Sequence, residues 1–192
     1  MDQERSRGSS LRYQSGGILK NTILIFLTVY VGVAAGGDDS NSTCTCYTQD
    51  VVAERGTPFS VGVFVNNTDT LAGMQIPVYY RSETVKLCCD SVTFQDTRCS
   101  GFVSKIQKID PTWRIVYFVV IGNGGEILPP GDGLVANLWF TADKKAASGR
   151  VELFSGPNAY IPDEKINYSF LFWSPTARQV NCQYKPGFIT VR

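Results

Sequence analysis

Residues Val51 to Leu87 read VVAERGTPFSVGVFVNNTDTLAGMQIPVYYRSETVKL. Phe59-Val61-Val63-Val65 and Met74-Ile76-Val78-Tyr80 place large side chains at every second position, the period of a strand with one face in a core. The turn formers NNTDTLAG separate the two runs, and Gly56-Thr57-Pro58 precedes the first. This stretch therefore reads as two core strands.

The same pattern continues on both sides. Further strands are expected at Cys46–Ala53, Val85–Phe94, Phe102–Lys108, Trp113–Ile121, Leu134–Thr141, Arg150–Phe154, Ser169–Phe172 and Phe188–Arg192. Asp110-Pro111, Gly122 to Gly125, Pro129 to Gly133, Ser148-Gly149, Gly156-Pro157 and Lys185-Pro186-Gly187 punctuate them. Short helices are conceivable only at Ser82 to Val85 and Ala142 to Ala147. The expected fold is all-β, a two-sheet antiparallel sandwich of about nine strands. Its core would hold Phe59, Val61, Val63, Ile76, Val78, Leu138 and Phe140. The sequence carries no internal repeat.

Of 192 residues, 43% are hydrophobic and 18% charged, which suits a packed core rather than disorder. The net charge of +1 and the lack of a basic stripe argue against nucleic acid. The chain has no histidine, which removes Ser-His-Asp and Cys-His catalysis and the usual His-ligated zinc sites. No catalytic residue, metal ligand or cofactor is expected. Glu54, Glu83, Glu126, Glu152 and Glu164 read as surface carboxylates rather than a glycosidase pair.

The N-terminus reads as an export signal over residues 1–35. Arg5, Arg7, Arg12 and Lys20 precede the apolar run Ile23 to Val33, and Val33-Ala34-Ala35 offers a cleavage site before Gly36. The run falls short of the about 20 apolar residues of a transmembrane helix, although an uncleaved anchor is the alternative. Residues 36–45 read as a flexible lead-in and 46–192 as the domain. Cys44, Cys46, Cys88, Cys89, Cys99 and Cys182 all follow the apolar run, as expected of disulfides in an oxidising compartment. Cys89 (or Cys88) with Cys99 would join consecutive strands, and Cys46 (or Cys44) with Cys182 would tie the two ends. Residues 156–169, GPNAYIPDEKINYS, are long for a hairpin and rich in neighbouring aromatics, so they read as a cover over the sandwich or a functional loop. Asn41-Ser42-Thr43, Asn66-Asn67-Thr68 and Asn167-Tyr168-Ser169 match the glycosylation sequon.

Four motifs in order resemble those of cohesin domains, bacterial extracellular β-sandwiches related to carbohydrate-binding modules. They are Gly56-Thr57-Pro58-Phe59-Ser60-Val61, then Leu71 to Ile76 leading to Tyr80 to Leu87, then Pro130-Gly131-Asp132-Gly133 with Leu138-Trp139-Phe140 and Ala147-Ser148-Gly149, and the closing Pro186 to Val191. Arg81-Ser82 stands where the family has Asp-Pro. The resemblance implies a jelly-roll-like sandwich with parallel first and last strands, which would bring Cys44 and Cys46 near Cys182. It also implies a non-catalytic module, secreted or at a bacterial cell surface, that docks a calcium-folded dockerin module in a polysaccharide-degrading assembly. The implied docking face would carry Gln75 and Tyr79, which alternate with core positions. Lys105, Gln107, Arg114, Arg150 and Glu152 are further candidates for it.

Two other readings compete. Trp113, Trp139, Trp173, Tyr79, Tyr160 and Tyr168 could stack on polysaccharide directly, if several shared one exposed face. A structural surface protein is the second. A membrane would be met only through an uncleaved N-terminal segment.

Overall fold

The computed structural model describes residues 43–123, 125–155, 159–161 and 166–192, with backbone alone at 159–161 and 166–167. The leader expected at 1–35, the lead-in up to residue 42, and residues 156–158 and 162–165 of the 156–169 loop lie outside the described residues. Every described element is a strand: β1 (Cys44–Thr48), β2 (Val51–Ala53), β3 (Pro58–Asn67), β4 (Gly73–Arg81), β5 (Leu87–Thr93), β6 (Ser104–Asp110), β7 (Ile115–Ile121) and β8 (Gly131–Ala142). They continue with β9 (Gly149–Phe154), β10 (Ala159–Ile161), β11 (Ile166–Tyr168), β12 (Leu171–Trp173), β13 (Gln179–Val180), β14 (Cys182–Lys185) and β15 (Gly187–Val191). Nine of these have five residues or more.

Neither conceivable helix forms. Ser82 Oγ instead accepts from the backbone N–H groups of Thr84 and Val85, a serine turn that competes with helix. Asp143 Oδ1 does the same for Lys145.

Sheet A runs β14-β1-β3-β8-β5. Sheet B runs β13-β12-β4-β9-β15-β2, and β4 also pairs with β7, which pairs with β6. A separate ribbon joins β10 and β11. Alternation decides what lies between the sheets. Val61, Val63, Leu138 and Phe140 of sheet A and Met74, Ile76, Val78 and Phe118 of sheet B are fully buried, with Phe59 packed at the margin. Tyr80 meets Phe140 edge to face across the sandwich at 5.2 Å.

The strand expected at Cys46–Ala53 is two strands. It begins at Cys44 in sheet A, breaks at Gln49-Asp50, and resumes as β2 in sheet B. The C-terminal end makes the same crossing, from β14 to β15, and both pairs, β1–β14 and β2–β15, are parallel. The crossing is stitched at Gly187. Its N–H donates to Thr48 Oγ1 at 2.9 Å, and the next N–H, of Phe188, donates to Asp50 Oδ1 at 2.9 Å. A Cβ at Gly187 would lie 2.4 Å from the Thr48 carbonyl oxygen, so only glycine fits.

This register corrects the disulfide assignment. Cys182 lies directly across from Cys44 and is bonded to it, with Cα atoms 4.3 Å apart. Cys46, placed ahead of Cys44 as the candidate partner, faces Tyr184 two residues further along and is a free, buried thiol. Cys89 and Cys99 are also free and buried, not joined, and Cys88 is free and exposed. Cys89 points into the sandwich from β5, and Cys99 sits in the following loop, its N–H bonded to Thr97 Oγ1. Burial pushes both thiols up to about 12, so they are protonated at neutral pH.

Candidate docking face

The outer face of sheet B follows from its register. On β4, Gln75, Pro77, Tyr79 and Arg81 point away from the core. On β7 their cross-strand neighbours are Val119, Tyr117 and Ile115, and on β6 the same row continues through Ile106, Lys108 and Asp110. On β9, Phe154, Glu152 and Arg150 complete it.

The centre of this face is apolar. Tyr79 stacks on Phe154 at 5.1 Å, and Tyr168, at the end of β11, tilts against Tyr117 at 4.7 Å. Tyr79, Ile115 and Tyr168 are buried as a cluster outside the main core, flanked by Trp113, Tyr117 and Phe154. The rim is charged. The Arg81 guanidinium lies 5.4 Å from the Tyr79 ring centre, Lys108 Nζ lies 5.7 Å from that of Tyr168, and Arg150 lies 3.4 Å from that of Phe188. Ile106 stands 54% exposed beside them on the edge strand. Burial, and then the neighbouring Tyr168, raise the Tyr117 phenol, which stays neutral.

The residues expected on this face divide. Gln75, Tyr79, Arg150 and Glu152 point outward as read from alternation. Tyr79 is nonetheless only 6% exposed, because Tyr168 and Phe154 pack on it. Gln75 is engaged, its Nε2 donating to the Ser169 carbonyl at 2.9 Å. Lys105 and Gln107 point the other way. They pair with Val120 and Phe118, both core residues, so they share the inner side of the edge strand. Lys105 Nζ accordingly donates to the Ser100 carbonyl and lies over the Phe94 ring. Arg114, at φ 54° in the β6–β7 turn, donates to the Ser82 carbonyl at the end of the face. Ile106, Lys108, Tyr117 and Arg81 were not singled out, although Ile106 and Lys108 are the outward partners in the same β6 alternation.

Among the described residues, no three His, Cys, Asp or Glu converge to hold a metal ion. No helix there is long and apolar enough to cross a membrane.

No protein-family model matches the chain, and no curated protein matches it in sequence. Solved structures do. A type I cohesin–dockerin complex from Clostridium thermocellum, containing the OlpA cohesin, matches with a TM-score of 0.63 at 14% identity, over 78% of this chain and 99% of that one. The seventh ScaB type I cohesin from Pseudobacteroides cellulosolvens gives 0.62 at 15%, over 78% and 92%. A non-cellulosomal cohesin from the hyperthermophilic archaeon Archaeoglobus fulgidus gives 0.56 at 12%, over 78% and 91%. The chain has the cohesin fold, at an identity where only the fold is shared.

Proposed function

We propose that this chain is a non-catalytic docking module of cohesin type, whose partner is a dockerin-like module received on the outer face of sheet B. The observation that carries the reading is that face itself. It has an apolar centre of Tyr79, Tyr117, Phe154 and Tyr168, extended by the exposed Ile106 on edge strand β6, and a rim of Arg81, Lys108, Arg150 and Glu152, the anatomy of a protein interface. The fold shared with cohesins solved as dockerin complexes supports it. Export through residues 1–35 to the bacterial exterior or cell surface, in a polysaccharide-degrading assembly, belongs to the same proposal. The Cys44–Cys182 bridge is consistent with an oxidising compartment.

The test is surface-plasmon binding of the chain to a panel of calcium-loaded dockerin modules, repeated with chelator. The reading requires calcium-dependent binding to at least one, weakened at least about tenfold by Ile106→Glu. No binding across the panel, or binding indifferent to Ile106→Glu, refutes it.

A further inference from the structure

The opposite face of the molecule carries a second candidate site. On the outer side of sheet A, two rows of side chains run across four strands. One row is Lys185, Tyr47, Phe64 and Leu134; the other is Gln183, Thr45, Asn66 and Asp132. An aromatic row thus lies directly beside a row of hydroxyl, amide and carboxylate groups.

The aromatic row is built, not incidental. Tyr47 and Phe64 stack at 5.1 Å with their rings 12° from parallel. The Phe64 ring folds over Gly62, where a Cβ would sit 2.6 Å from it, so glycine at that position lets the ring settle against the sheet. The Tyr47 hydroxyl donates to Asp132 Oδ1 at 2.9 Å, which holds the phenol in place across the neighbouring strand. Thr45, Tyr47, Asn66, Asp132 and Lys185 line a shallow depression there. Further along β8, roughly 15 Å from Leu134 at the rise of an extended strand, Trp139 presents a third ring on the same face. It is 39% exposed, and its indole N–H donates to Thr93 Oγ1 at 3.0 Å.

We infer that this face binds a neutral polysaccharide. A pyranose ring has an apolar C–H face and a rim of hydroxyls. The electron-rich face of an aromatic ring takes the first, and short polar side chains beside it take the second. Charge selects among ligands. Lys185 stands at the β14 end of the face, Asp132 has Arg98 as its charged neighbour, and Asp90 is the charged neighbour near Trp139, so the described residues of the face form no cation cluster of the kind a nucleic acid or a sulfated glycan needs. The separation of Trp139 from the Tyr47–Phe64 pair suits an extended chain rather than a single sugar. This site lies on the sheet opposite the proposed docking face, so either can fail without the other.

The test is affinity electrophoresis of the oxidised full chain through gels containing hydroxyethylcellulose, xylan or glucomannan, with retention on insoluble cellulose and chitin measured in parallel. The variants are Tyr47→Ala, Trp139→Ala and, as the control on sheet B, Ile106→Glu. Thermal midpoints confirm that each folds. Retardation by at least one polysaccharide is expected, weakened about tenfold or more by Tyr47→Ala and by Trp139→Ala and unchanged by Ile106→Glu. No retardation on any matrix overturns the inference, as does retardation that both aromatic variants retain. Self-association of the chain that Tyr47→Ala abolishes, seen by sedimentation, would assign the face to a second copy and overturns it equally.

Discussion

The Tyr168 ring centre lies 4.7 Å from that of Tyr117, which puts a residue from the end of the 156–169 loop on the outer face of sheet B. β9 and β12 both pair with β4, β9 near its end and β12 near its start, and Tyr168 comes from the chain that joins them. The face is therefore an aromatic layer in its own right, not a plain solvated sheet.

Tyr168 is 2% exposed, and its hydroxyl has no hydrogen-bond partner among the described residues. Its contribution should come from the ring alone. Tyr168→Phe is expected to leave stability unchanged or slightly raised, whereas Tyr168→Ala should cost about 2–4 kcal/mol through the cavity beside Tyr79 and Ile115. Urea unfolding of the two variants separates ring from hydroxyl.

Cys44 and Cys182 close a loop with a sequence separation of 138 residues. Cys44→Ser is expected to destabilise the domain by about 2–5 kcal/mol. Reductant should lower the melting temperature of the parent chain but not that of the Cys44→Ser variant. Cys46→Ser should leave that reductant response in place, which distinguishes the observed bridge from one through Cys46.

Arg98 holds the loop after β5 against two strand ends. Its guanidinium donates to the carbonyls of Val65, Pro129 and Gly131 and to Asn67 Oδ1. Arg98→Ala leaves these acceptors without their charged donor and should cost about 2–3 kcal/mol, and Arg98→Lys should recover little, since an ammonium cannot span the fork. Chemical denaturation of both variants measures it.

Gly187 leaves no room for a methyl group beside Thr48. Gly187→Ala should destabilise by about 1–3 kcal/mol, with the shift confined to thermal and urea midpoints if the strand crossing adjusts.

The buried thiols of Cys89 and Cys99 are pushed up to about 12 by desolvation, against about 8.5 in an unfolded chain. Above the unfolded value the unfolded state releases these protons and the folded state keeps them. The stability they contribute is thus full below about pH 8.5 and falls as pH rises toward about 12. Unfolding free energy measured from pH 7 to 10 should decline, and more shallowly in Cys89→Ala. Thiol titration of the native chain should label Cys88 first, the exposed cysteine.

Local pattern alone reached far along this chain. The period of two in β3 and β4 identified the inward residues from Val61 to Tyr80, and by elimination it turned Gln75 and Tyr79 outward. Those strands are central, covered on one side along their length, so alternation and burial coincide. The turn residues bounded most long strands for the same local reason: glycine and proline limit the backbone where they stand.

What alternation states is which residues share a face, never which face is inside. On edge strand β6 both sides are partly open, and only pairing with Val120 and Phe118 turns Lys105 and Gln107 toward the core side. Cys44 and Cys46 share a face equally well, and the β1–β14 register chose between them. Tyr47, Phe64 and Asp132 are far apart in sequence and carry no common motif. They become one surface because β1, β3 and β8 are hydrogen-bonded neighbours, with a bulge at Val135 of β8, opposite the Val63–Phe64 step, setting the final alignment. Composition and local period determined that this chain folds as a β-sandwich and which residues form its core. Cross-strand register, a contact between distant segments, decided its disulfide, its two outer faces and the side chains that meet there.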